Sequence, residues 1–82
     1  MGFLLYSRPG CSLCDEMLAE LHQMPAMRDH PIEVRDVDAE PATRVRYGHK
    51  IPVLLMGGEP VCHGRLDKEE LLKALTCHRR PV

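Results

Sequence analysis

Apolar residues fall into short runs, separated by charged and turn-forming segments. Phe3-Leu4-Leu5-Tyr6 is a continuous apolar run of strand length, the pattern of a central strand buried on both faces. Ser7-Arg8-Pro9-Gly10 breaks it with turn residues. From Cys11 onward the period changes: Cys14, Met17, Leu18 and Leu21 stand at i, i+3, i+4 and i+7, one face of a helix. Pro25 disfavours helical backbone in the residue before it, so that helix should end near Met24. Ile32 and Val34 then alternate with Glu33 and Arg35, with Asp36 continuing the inward set, which predicts a second strand.

Asp38-Ala39-Glu40-Pro41 has the form of a helix entrance, a capping acid followed by a proline in the first turn. The short helix it opens should reach about Tyr47 and close on Gly48 as a C-cap. Val53-Leu54-Leu55-Met56, Gly57-Gly58, and Glu59 to His63 read as strand, tight turn and strand. A two-residue hairpin turn demands the positive φ angles that glycine supplies. A last helix follows Asp67, its expected N-cap, with Glu70 three residues on in a variant of the capping box. Leu66 and Leu71 can staple its entrance, and Leu71, Leu72 and Leu75 make its expected buried face. His78, Arg79 and Arg80 fall at the negative end of its dipole, where cations are favoured.

The order is β-α-β-α-β-β-α. Two strands joined through a helix are parallel and two joined by a tight turn are antiparallel. The expected fold is therefore α/β, a four-stranded mixed sheet with helices packed on both faces. At 82 residues the chain is one domain, residues 1–82.

Charge narrows the partners. Eleven Lys and Arg are interspersed with twelve Asp and Glu, which gives no footprint for nucleic acid or an anionic membrane. The longest apolar run is far too short to span a bilayer. No basic segment followed by an apolar one opens the chain, so no secretory signal is expected and the cytoplasm is the expected compartment. Thiols there stay reduced. Four cysteines (Cys11, Cys14, Cys62, Cys77) allow three disulfide pairings as a structural framework, but in a reducing compartment a close pair reads as catalytic or metal-binding.

Cys11 and Cys14 are that close pair. Cys11 falls at the strand-to-helix junction, where unpaired backbone N–H groups and the positive end of the helix dipole favour an anion, here a thiolate. Arg8 adds a positive charge three residues earlier, while Asp15 and Glu16 oppose it. Cys14 lies one turn further in, on the buried face, and suits a resolving thiol that attacks a mixed disulfide from within. The other reading of such a pair is half of a zinc site. Cys62-His63 and Cys77-His78 lack the usual ligand spacing, and Cys62 reads as a small buried side chain with Cys77 half exposed. Met17 and Met24 read as core filling; His49 and Lys50 read as solvated loop positions, with a basic rim to the substrate groove as the alternative.

Tyr6-Ser7-Arg8-Pro9-Gly10-Cys11-Ser12-Leu13-Cys14 resembles the active-site segment of glutaredoxins. Ile51-Pro52-Val53 is similar to the cis-proline segment of the thioredoxin superfamily, and Gly64-Arg65-Leu66-Asp67 resembles, less closely, the glutaredoxin turn before the last helix. The motif lacks the proline and aromatic common between the cysteines of dithiol glutaredoxins. His63 stands in the place of the turn's first glycine, and Leu66 in that of a frequent hydroxyl residue.

The resemblance implies a minimal thioredoxin-like fold and a dithiol disulfide reductase of the small, bacterial glutaredoxin-like group. Its catalytic residues would be Cys11 and Cys14. Its substrate-binding residues would be Arg8, Ile51, Pro52, Gly64 and Asp67: Ile51 offers its backbone to an extended substrate, and Arg8 and Asp67 take the ends of glutathione. The expected substrates are disulfide-containing proteins or glutathione mixed disulfides. The chain should be a monomer with no bound cofactor and no metal, and glutathione is the candidate reductant. The alternative is a non-enzymatic module of the same fold that captures a metal or a protein partner through its cysteines.

Overall fold

The computed structural model describes residues 2–79, with side chains through Thr76. The expectations for Cys77, His78, Arg79 and Arg80 therefore lie outside the described side chains. Four strands, β1 (Phe3–Ser7), β2 (Ile32–Asp36), β3 (Val53–Met56) and β4 (Glu59–His63), form one sheet in the order β2-β1-β3-β4. Three α-helices connect and follow them: α1 (Ser12–Gln23), α2 (Pro41–Tyr47) and α3 (Lys68–Arg79). β2 runs parallel to β1, whereas β3 lies antiparallel to both β1 and β4. Gly57 and Gly58 take φ of +61° and +86°, the conformation that lets a two-residue turn reverse the chain.

The alternation of side chains along β1 and β3 divides the apolar residues between two faces. Phe3, Leu5 and Leu54 face one layer, where they meet Met17 and Leu21 of α1 and Leu71 and Leu75 of α3 in a continuous buried cluster. The opposite face carries Tyr6, on which Tyr47 of α2 stacks at 5.3 Å and 21° between the rings. Arg46 lies 5.4 Å from the Tyr47 ring centroid on the same short helix. Val53 and Leu55 of β3 are buried on this face, although α2 itself buries no residue and its Val45 is exposed.

Several local expectations are corrected. Val34 is exposed, because β2 is an edge strand paired only with β1 and no helix covers that part of it. Leu72 is also exposed; the buried stripe of α3 is Leu71 and Leu75, four residues apart, and Leu72 points about 100° away. Pro25–Met27 forms a 3₁₀ turn that buries Met27 beside the core, a role not read from the sequence. A second 3₁₀ turn, Val37–Ala39, precedes α2. Asp38 lies within it and does not cap α2, whose N-cap is Glu40 with no side-chain hydrogen bond. Gly48 closes α2 in right-handed helical geometry, so its freedom to reach positive φ is unused. Asp67 does cap α3, its Oδ1 accepting the Glu70 N–H at 3.1 Å. Among the described residues no helix is long and apolar enough to cross a membrane.

Candidate active site

Strand register decides what meets at the site. Ser7 at the end of β1 pairs with Asp36 at the end of β2, Tyr6 pairs with Val53 at the start of β3, and Val53 pairs with His63 at the end of β4. The segments beyond these positions (residues 8–11, 37–39, 50–52 and 64–67) therefore emerge at one end of the sheet. This is the carboxyl end of the two parallel strands, the usual place for a ligand in an α/β sheet.

Cys11 is the N-cap of α1. Its backbone is extended, and its sulfur accepts the Cys14 N–H at 3.2 Å. The Cys11 N–H in turn donates to the Arg8 carbonyl at 3.1 Å, closing the turn that Gly10 permits with φ of +80°. A sulfur in this position takes the third of the helix's unpaired amides and lies at the positive end of its dipole.

Cys14 is 3% exposed and faces the sheet from α1. Burial, and next the hydrogen bond with Cys11, push its thiol up to about 11, with the Arg8 backbone partly offsetting them. The two sulfurs are thus unequal: one is held at a helix N-terminus and half open to solvent, while the other is buried and kept protonated at neutral pH. Leu13 between them is 48% exposed. It borders an open groove of about 490 Å³ between α1 and the turn at Gly64-Arg65-Leu66.

The Cys14 shift fixes the sign of one pH effect. Its native value lies above the ordinary thiol range, so above about pH 9 the unfolded chain binds fewer protons at this site than the folded one. The reduced protein should therefore lose stability as pH rises from about 9 to about 11. Urea denaturation of the reduced wild type and of Cys14→Ala across this window should show a steeper decline in the wild type. Equal slopes would assign no role to Cys14.

The structure brings most of the predicted substrate-binding residues to this end. The Ile51–Pro52 peptide bond is cis. The Pro52 carbonyl accepts the Gly64 N–H at 2.8 Å, which ties the turn before α3 to the proline segment. Gly64 has φ of +76°. Ile51 precedes the register of β3 with β1, which begins at Val53, so its peptide lies outside the ladder. Asp67 stands at the same end, with one carboxylate oxygen engaged in capping α3. His49 and Lys50 are exposed in the segment leading to Ile51.

Arg8 is differently placed from the free cation expected at Cys11. Its Nε and Nη2 donate to the two carboxylate oxygens of Asp38 at 2.7 and 2.9 Å. The sequence places Asp38 in a helix entrance and gives no local reason to pair it with Arg8. The available signal was topological: parallel strands β1 and β2 end together, so residues just beyond each become neighbours.

Cys62 is half buried among core residues, and burial raises its thiol above the ordinary value. His63, the next residue on β4, points to the opposite side of the sheet, so the two do not converge. Among the described residues no three His, Cys, Asp or Glu side chains are grouped to hold a metal ion, and Cys11, Cys14 and Cys62 are free thiols.

The family model described as Glutaredoxin-like domain (DUF836) matches residues 3–76. No curated protein sequence matches the chain. Among solved structures, the chain is similar to the X-ray structure of a structural-genomics target protein, XcR50 from X. campestris. The two share 25% identity and superpose with a TM-score of 0.70, over 98% of this chain and 100% of that one.

Proposed function

The chain belongs to the glutaredoxin-like domain family, and on that premise we propose that it is a dithiol thiol–disulfide oxidoreductase acting through Cys11 and Cys14. A redox role suits its thioredoxin-like fold and its Cys11-Ser12-Leu13-Cys14 segment. The observation that carries the finer reading is the inequality of the two sulfurs: Cys11 caps α1 and accepts the Cys14 amide, while Cys14 is buried and held as a thiol.

The steps follow from that inequality. The Cys11 thiolate attacks one sulfur of a substrate disulfide, forming a mixed disulfide and expelling the other sulfur as a thiolate. Once Cys11 is so bonded, its upward push on Cys14 is removed, leaving mainly burial to overcome. Cys14 then loses its proton and attacks the Cys11 sulfur. The Cys11–Cys14 disulfide forms, the second substrate thiolate leaves, and the proton passes to a released thiolate. The protein is oxidised by two electrons and the substrate disulfide is reduced to one thiol and one thiolate, the latter taking its proton from solvent. Two equivalents of a small thiol, glutathione being the candidate, restore the dithiol. The Ile51 backbone, outside the β3 ladder, is where an extended substrate would dock by adding a strand. Proteins and glutathione mixed disulfides are the candidate substrate classes, in a reducing compartment such as the cytoplasm.

Equilibration in redox buffers of graded potential, followed by acid quench, alkylation and mass spectrometry, tests this reading. One two-electron transition confined to Cys11 and Cys14 is expected. Continued reduction of both sulfurs under strong oxidant, with stoichiometric metal in protein purified under reducing conditions, would instead identify a non-enzymatic metal-capture module.

A further inference from the structure

Arg8 is the last residue of the chain before the turn into Cys11, and its guanidinium feels the charge of the Cys11 sulfur. A free guanidinium there would offer a planar fork to any carboxylate on an incoming disulfide. The fork is occupied. Asp38 takes the Nε–Nη2 edge with both oxygens. This hydrogen-bonded pairing strengthens the cation and holds the Asp38 carboxyl below the usual carboxylate range. Asp36 adds a second negative charge beside Arg8, and Arg44 a second positive charge beside Asp38. Two cations and two anions therefore meet at the β2 side of the site, and they cancel.

Backbone contacts keep Asp38 there. Its N–H donates to the Asp36 carboxylate at 2.9 Å, fixing the 3₁₀ turn. The Thr43 hydroxyl donates to the carbonyls of Val37 and Glu40 at 2.8 and 3.0 Å, anchoring that turn to α2. Arg8 and Asp38 remain 41% and 36% exposed, within reach of a solute approaching Cys11.

We propose that Asp38 is a specificity-determining residue: by occupying Arg8 it sets the Cys11 site against disulfides flanked by carboxylates and in favour of neutral or basic flanks. The inference rests on the reading of Cys11 as the attacking sulfur. It places protein disulfides with uncharged or basic neighbours ahead of small anionic mixed disulfides as substrates. An anionic flank meets a cluster whose charges cancel, where a lone guanidinium would have attracted it. Because the pair is exposed, the discrimination is a few-fold and weakens with salt.

The test compares alkylation of Cys11 by iodoacetate, which is anionic, with alkylation by iodoacetamide, which is neutral and similar in shape. Both reagents consume the thiolate, so the ratio of their rates cancels any change in thiolate fraction and reads how the site receives a carboxylate. Rates are followed at Cys11 by mass spectrometry in the reduced protein. Asp38→Asn should raise the iodoacetate-to-iodoacetamide ratio about threefold to tenfold at low ionic strength, falling toward the wild-type ratio in about 1 M salt. Asp38→Glu, which keeps the carboxylate, should restore the wild-type ratio. In an Arg8→Gln background, adding Asp38→Asn should change the ratio by less than about twofold, because Asp38 acts through Arg8. An unchanged ratio in Asp38→Asn overturns the proposal. So does an equal rise in the Arg8→Gln background, which would mark a general charge effect. Neither measurement needs turnover, so failure of the oxidoreductase reading would appear separately, as absence of the Cys11–Cys14 couple.

Discussion

Cys11→Ser is expected to abolish disulfide reduction, lowering turnover by roughly a thousandfold or more, because it removes the nucleophile from a site where, among the described residues, no second exposed thiol stands in its place. Cys62, on β4, is half buried against the core, and Cys14 is buried beside the lost sulfur. Cys14→Ser should behave differently. The first attack survives, so the protein accumulates as a mixed disulfide with its substrate, and excess small thiol rescues part of the turnover. Steady-state reduction of a model disulfide, with mass spectrometry of the quenched protein, distinguishes the two variants. Full activity in Cys11→Ser, or exchange of the two phenotypes, would dismantle the assignment of attacker and resolver.

Leu54→Ala should produce the largest loss of stability. Leu54 is 0% exposed and lies on the sheet face beneath α1 and α3, paired with Leu5 across the ladder. Truncation removes its transfer free energy and leaves a cavity that strands on both sides hold open, at about 2–5 kcal/mol. Small domains have total stabilities toward the low end of roughly 5–15 kcal/mol, so much of the folded population would be lost. The urea midpoint should fall sharply with little change in slope. Leu72→Ala is the contrast: Leu72 is 47% exposed, and its midpoint should shift by no more than about 0.5 kcal/mol in free energy. A loss at Leu72→Ala comparable to that at Leu54→Ala would refute the placement of Leu72 on the open face of α3.

That contrast also shows where sequence pattern stops being informative. Leu71, Leu72 and Leu75 are chemically alike and all fit an apolar stripe, yet only the docking angle of α3 selects which ones the sheet covers. Val34 makes the same point for a strand. Its alternation with charged neighbours is correct for a β-strand, but burial depends on what lies over that face, and β2 stands at the sheet edge.

Local chemistry was enough for much of the rest. The apolar run at Phe3, the change to helical period after Cys11, the glycine pair at the hairpin and the Asp67 cap each rest on interactions within a few residues. The chain therefore states them directly. The same holds for Cys11 at a helix start, since strand, turn and helix follow one another without a gap. What only the tertiary structure decided is the company these groups keep. Parallel pairing of β1 with β2 carries Asp38 to Arg8 across thirty positions of sequence, and antiparallel β3 and β4 bring Pro52 to Gly64. Such contacts depend on strand register and sheet order, which are set by the burial of the whole core. Charge compensation at the lip of the site is invisible in a sequence where Arg8 and Asp38 each have a plausible local role. The sulfur pair is thus legible from the chain, while the field around it is a property of the fold.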